Sequence, residues 1–475
     1  MIHEHFKRAL SENFGLAYSP SQREAVDRFV SFLFQEREEN LFLLKGYAGT
    51  GKTSLVAAIV NTLLSFRLQV VLLAPTGRAA KVFSAYAGIS AFTIHKKIYR
   101  QRDAREGIGL FELGFNASAN TLFFVDEASM IGADLPDAAF GSGSLLDDLF
   151  RYVYNGRGNR LVFIGDDAQL PPVGTPVSPA LDAGLLHRCH DVEVHEAALT
   201  DVMRQAEASG ILYNATRVRR MIGRGGSLRL KLDGFPDVRR VAGGELLEEL
   251  ERAYGTVGEE ETVVICRSNR QTLRFNAGIR GRVLYREEEF SAGDRVMVVK
   301  NNYFWGAGRE EMDFIANGDI ATVERVGRCV DLYGFHFARA RLRLHGREEG
   351  ELEAWVMLDT LTTEQPALGR DDYKRFYAAV EEDYAAEPSR RKRYKKVLEN
   401  EFFNALQVKF AYAITGHKAQ GGQWDTVFLD PGWGAGPSPD DEYWRWLYTA
   451  FTRARGQLLL VGQPGNSASS AIIFD

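Results

Sequence analysis

Cysteine is scarce in this chain: three in 475 residues, Cys189, Cys266 and Cys329, widely spaced and odd in number. Such a set fits neither a disulfide framework nor a thiolate zinc site, and reads instead as small buried hydrophobes. Long apolar runs are also missing. No segment approaches the roughly 20 residues that span a bilayer, and the opening MIHEHFKRAL holds no stretch suited to a secretory leader. A cytoplasmic protein with no membrane partner is expected. Charge of one sign is not in excess either: 58 Lys and Arg stand against 63 Asp and Glu, a net charge of −5. Bulk charge thus gives no argument for a polyanionic partner and none against, since a basic groove can sit in an acidic exterior. Neither an internal repeat nor a low-complexity tract occurs, which removes solenoids and disordered linkers from consideration. With 45% apolar and 25% charged residues, the composition is that of a globular protein, and the length implies roughly two to four domains.

What is present is a rhythm. Short apolar runs at 41–44 (LFLL), 70–74 (VVLLA), 121–125 (TLFFV) and 161–164 (LVFI) alternate with helix-like stretches through residues 1–190. Runs of this kind, bounded by polar residues or glycine, suit strands buried on both faces of a parallel sheet, and the alternation predicts an α/β architecture. A second α/β unit is expected over 191–315 and 405–475, with strands near 261–266, 426–429 and 457–461. Between its halves, short alternating strands with Gly-rich turns and then a charged, aromatic helical stretch predict an inserted small β-barrel with a helical arm over 316–404.

Polar clusters follow the predicted strands. Gly46 to Thr53 (GYAGTGKT) fits the phosphate-loop pattern between a strand and a helix. There the backbone around Gly46, Gly49, Thr50 and Gly51 can turn its N–H groups toward phosphate oxygens. Lys52 suits the β- and γ-phosphates of a nucleoside triphosphate, and the Thr53 hydroxyl suits Mg²⁺. Asp126 and Glu127 end the third strand; Asp126 suits Mg²⁺ through its water shell, and Glu127 suits the orientation and deprotonation of a water. Gln169, in GDDAQLPPV, suits a γ-phosphate contact, although that cluster reads equally as an Asp-rich turn with a proline stop.

In order along the chain, GYAGTGKT, LLAPTGRAAK, TIHKKIY, VDEASM, FIGDDAQLPPVG, LTDVMRQ, AITGHKAQGGQWDTV and YTAFTRAR resemble the motifs of superfamily 1 DNA helicases. The resemblance is to the RecD and Dda branch, which moves 5′ to 3′ on single-stranded DNA, and it spans Gln22 to Arg455. It implies two RecA-like parallel-sheet motor domains with ATP and Mg²⁺ between them. It further implies that Gln22 reads the adenine, and that Arg204 (VMRQ) and Arg453 (FTRAR) face the γ-phosphate from the second domain. Either arginine alone would read as a surface charge. The resemblance assigns strand contacts to Pro75, Thr76, Arg78, His95 and Lys96 in one domain and to Thr415, His417 and Lys418 in the other.

In the same branch, the segment matching residues 100–119 forms a β-hairpin pin that splits the duplex. Phe111 and Phe115 are then candidates to stack on a terminal base pair, or equally to pack under the hairpin. The basic run Arg390–Lys396 reads either as part of an arm bracing that pin or as a solvated helix. The implied activity is an ATP- and Mg²⁺-dependent DNA helicase acting on single strands and single-strand/duplex junctions. The alternatives are an RNA-dependent ATPase or helicase and a subunit that uses ATP only as a switch. With these motifs assigned, no carboxylate cluster remains that would serve a nuclease.

Overall fold

The computed structural model describes residues 2–35, 39–101, 111–132, 141–202, 208–306, 315–345, 350–432, 440–462 and 472–474. The first half is built on β1 (Asn40–Gly46), β2 (Gln69–Ala74) and β3 (Ala91–Thr93), an antiparallel hairpin of β4 (Tyr99–Gln101) and β5 (Phe111–Leu113), then β6 (Thr121–Val125), β7 (Arg160–Gly165) and β8 (Glu193–Leu199). Apart from the hairpin these form one parallel sheet in the order β3-β2-β6-β7-β1-β8. Along β1 the side chains alternate between two cores. Phe42 and Leu44 join Phe29 and Leu55 on one face, while Leu41 and Leu43 join Ile94 and Leu149 on the other. Helices cover both faces, so β1, β6 and β7 are almost wholly buried and the sequence shows unbroken apolar runs there. Each buried phenylalanine or leucine here contributes about 1.5–3 kcal/mol.

This sheet runs past the break expected near residue 190, because β8 pairs with β1 along its whole length. As an edge strand with half-exposed positions, β8 (EVHEAAL) keeps polar residues and lacks the signature of its buried neighbours.

The second half contains β9 (Leu228–Leu230), β10 (Val238–Val241), β11 (Thr262–Cys266), β12 (Arg295–Val298), β13 (Ile320–Leu332), β14 (Phe335–Leu344), β15 (Glu351–Met357), β16 (Leu406–Phe410), β17 (Ala413–Thr415), β18 (Trp424–Asp430), β19 (Ala454–Val461) and β20 (Ile472–Phe474). A second parallel sheet has the order β10-β19-β18-β11-β17, and β12 to β16 close a barrel. The barrel reaches beyond the limits expected at 316 and 404. Closure needs β12 and β16 to pair the outer strands, which leaves no open edge.

The arm helices Arg370–Glu382 and Arg390–Leu398 bury Phe376, Val380 and Val397 against Phe337, Trp355 and Met357 of the barrel. Part of the basic run is paired locally, Arg393 with Glu381 at 3.6 Å and Lys396 with Glu387 at 3.5 Å. Among the described residues no helix is long and apolar enough to cross a membrane.

Candidate functional site

β1 delivers the chain into its loop at Gly46, and the backbone passes through left-handed Gly49 (φ 78°) and Gly51 (φ 75°) before the helix Lys52–Ser65. A side chain at either glycine would cost about 1–2 kcal/mol. Lys52 Nζ donates to the Gly46 carbonyl (3.0 Å), and the Thr50 hydroxyl donates to the Tyr47 carbonyl (2.8 Å). Gln22, expected to read an adenine, is fully buried and has both amide atoms engaged. Its Oε1 accepts the Ser19 N–H (3.0 Å) as part of a capping box, and its Nε2 donates to the Thr50 carbonyl (3.0 Å). A buried amide must satisfy both atoms, and here Gln22 does so with Ser19 and the phosphate loop, which it braces.

Beside the loop lie buried carboxylates. Asp126 accepts the Tyr86 hydroxyl (2.6 Å) and the Glu127 N–H (2.8 Å). Burial raises its pKa, the neighbouring Glu127 raises it further, and the Lys52 charge opposes both. Asp166 is raised by burial in the same way and again opposed by Lys52. Glu127 sits at φ 51°, ψ 38°, a left-handed conformation that is strained for a side-chain-bearing residue and concentrates at functional positions. Glu127 Oε2 and Gln169 Oε1 are buried without a hydrogen-bond partner among the described residues. Unfilled acceptors beside a phosphate loop fit a hydrated divalent cation and a nucleophilic water, both of which bring donors.

The second sheet closes over this wall with the helix Asp441–Phe451. The fully buried Tyr448 hydroxyl accepts the loop's Ala48 N–H (2.9 Å) and donates to Asp166 (2.6 Å), whose other oxygen accepts the Ala168 N–H (3.0 Å). The Leu170 N–H donates to the Thr449 hydroxyl (2.9 Å), Gln420 Nε2 donates to the Leu170 carbonyl (2.6 Å), and Arg445 donates to the Asp167 carbonyl. Arg453 is 3% exposed, with Nη1 3.8 Å from Glu127 Oε1. Arg204 lies outside the described residues. Tyr448, Thr449 and Gln420 escaped the sequence reading; the only signal was their place inside the matched segments, since their partners are hundreds of positions away.

The expected strand contacts divide. Thr76 caps the helix Gly77–Ala87 through the Ala79 N–H (3.2 Å), directly after Pro75. Thr93 caps the short helix holding His95 and Lys96. Burial lowers His95 to about 4, so at neutral pH its imidazole is uncharged. Thr415 ends β17; burial lowers His417, and Lys418, bonded to Asn317, is lowered to about 8 by burial. The Arg78 guanidinium donates to the Gln423 carbonyl (2.8 Å) and lies 3.7 Å over the Trp424 ring, joining the two halves of the chain. Phe111 is likewise buried, 4.8 Å from the ring of Tyr303, and offers no stacking face, whereas Phe115 is 81% exposed. The hairpin tip, 102–110, lies outside the described residues.

An AAA domain family matches residues 17–221 and the UvrD-like helicase C-terminal domain family matches residues 410–461. The ATP-dependent RecD2 DNA helicase of Deinococcus radiodurans is 28% identical over 317 residues, covering 64% of this chain and 40% of that protein. An uncharacterised protein of Methanocaldococcus jannaschii is 21% identical over 485 residues, covering 92% of this chain and 38% of that one. The chain thus spans about two fifths of the length of the curated relatives it matches. A Pif1 helicase from Bacteroides, solved with ADP-AlF3 and ssDNA, aligns over 94% of this chain and 93% of its own at 16% identity and a TM-score of 0.46. A phosphate-loop domain match followed in order by a UvrD-like helicase C-terminal domain match, together with a RecD2 relative, makes this chain similar to the RecD-like helicases of superfamily 1.

Proposed function

We propose that this chain is an ATP- and Mg²⁺-dependent DNA helicase that moves 5′ to 3′ on single-stranded DNA and opens duplex at junctions. The observation that carries this reading is the split site. Lys52, Asp126 and Glu127 stand on the first sheet, while Arg453 reaches across from the second to within 3.8 Å of Glu127. Thr53 and Asp126 would hold Mg²⁺, which when bound offsets the charge of the phosphates. Glu127, with a free Oε2, orients the attacking water and takes its proton. Arg453 and Lys52 balance negative charge from opposite walls. A site completed by two domains ties its own opening and closing to their separation. Thr76 and His95 on one domain and Thr415, His417 and Lys418 on the other are the proposed grips on the strand, contacting phosphates and sugars without reading bases.

Strand displacement on 5′-tailed and 3′-tailed duplexes, with ATPase stimulation by DNA and RNA of matched sequence, tests this reading. The expected result is DNA-stimulated ATPase with unwinding of the 5′-tailed substrate. Unwinding of only the 3′-tailed substrate would reverse the polarity, preferential stimulation by RNA would change the substrate, and no stimulation by either would remove the motor.

A further inference from the structure

A cavity of about 530 Å³ opens between the two halves of the chain, reaching Thr53 at the start of the phosphate-loop helix. One wall is a single face of the helix Gly77–Ala87, carrying Arg78, Lys81, Val82 and Tyr86, with Thr53 behind it. The opposite wall is the barrel and second sheet, carrying Arg295, Asp319, His345, Glu260, Glu261 and Arg455.

Two of the three carboxylates here are engaged, while Glu260 faces a His345 that burial keeps uncharged at neutral pH. Glu261 pairs with Arg455 (2.5 Å), Asp319 caps the Ala316 N–H (2.9 Å), and Glu260 lies 3.6 Å from His345. Cations are left over. Lys81 makes no hydrogen bond or ion pair among the described residues, and Arg295, 3% exposed, has an Nε with no acceptor. Burial and the nearby charges of Arg295, Arg455 and Arg453 lower Arg78 to about 10. A half-buried Arg78, an exposed Lys81 and a buried Arg295 with an unfilled N–H form a cluster of like charges on one cavity, which a small dianion relieves.

We propose that this cavity receives the inorganic phosphate released by ATP hydrolysis and is its way out, with Lys81, Arg295 and Arg78 as its contacts. The inference rests on the nucleotide reading of the loop. Its geometry follows from position: Thr53 lines the cavity, and Tyr86, at the far end of the same wall, bonds Asp126. The cavity therefore adjoins both residues proposed to hold Mg²⁺, Thr53 directly and Asp126 through Tyr86.

The probe is inorganic phosphate, titrated calorimetrically into the full chain already saturated with ADP. One site is expected, weakened roughly tenfold in Lys81→Glu and restored in Lys81→Arg, with ADP affinity unchanged. In stopped-flow with a fluorescent phosphate reporter, Lys81→Glu should delay appearance of free phosphate relative to quench-flow chemistry. Equal phosphate affinity in Lys81→Glu, or an unaltered delay, would overturn the proposal while leaving ADP binding intact. Displacement of phosphate by a thymidine oligonucleotide would assign the cavity to the strand and also overturn it. Failure to bind ADP at all would instead strike the nucleotide reading beneath it.

Discussion

Tyr448→Phe removes a single oxygen and leaves the ring in its packing. That oxygen is fully buried and has two partners, the Ala48 N–H at 2.9 Å and the Asp166 carboxylate at 2.6 Å. Without it, a buried donor in the phosphate loop and a buried anion each lose a bond, at about 1–3 kcal/mol apiece. Asp166 keeps the Ala168 N–H, so the combined loss should fall near the lower end, about 2–3 kcal/mol. The effect depends on pH with a definite sign. The tyrosine hydroxyl favours the ionised form of Asp166 against the burial that raises it. The penalty for losing that hydroxyl is therefore largest where Asp166 is ionised, and shrinks as pH falls through its raised pKa and the carboxyl protonates. Urea unfolding of both proteins at neutral and mildly acidic pH measures this difference, and an ATP titration measures the loop. Weaker ATP binding and a stability gap that narrows in acid are expected. A gap under about 0.5 kcal/mol at neutral pH, or one that widens on acidification, refutes the bridging role.

Lys52→Ala should abolish ATPase while the melting transition stays; near-normal turnover in the folded variant would contradict the role given to the loop. Glu127→Gln should bind ATP yet stall hydrolysis, so a quench-flow trace matching the parent would remove Glu127 from the chemistry. Phe111→Ala should destabilise the chain by about 3–5 kcal/mol because its ring is buried, whereas Phe115→Ala should leave stability within about 0.5 kcal/mol and lower strand displacement. The reverse pattern in melting curves would exchange the two roles. Lys418, lowered to about 8 by burial, should lose its charge as pH rises, so strand affinity should fall between about pH 7 and pH 9 and Lys418→Arg should flatten that fall. The same depression gives folding stability the opposite slope, since the unfolded chain holds the proton longer. A flat affinity profile for the parent would separate Lys418 from the strand.

The parallel sheets were legible because double-sided burial writes itself as unbroken apolar runs, and β1, β2, β6 and β7 announce themselves that way. β8 does not, because an edge strand keeps its polar residues. The phosphate loop, Asp126 and Glu127 were legible because their chemistry is set by neighbours a few positions away. Tyr448, Thr449 and Arg78 were not, since each is defined by a partner from the other half of the chain: Asp166, Leu170 and Trp424 respectively. Gln22 was hidden for a different reason. An amide that can read a base can equally close a capping box and hold a carbonyl, and only the fold shows which bonds it makes.

The contact between Phe111 and Tyr303 gives the hairpin two anchors. The hairpin leaves the first sheet through the short helix Ile94–Ile98, yet its root leans on a residue that follows a barrel strand. If the two halves separate and rejoin during each cycle, the hairpin cannot travel with its parent sheet alone, because its base is wedged against the opposing module. Any such movement then either slides Phe111 over Tyr303 or bends the hairpin base, which makes this one ring contact a coupling between the two halves.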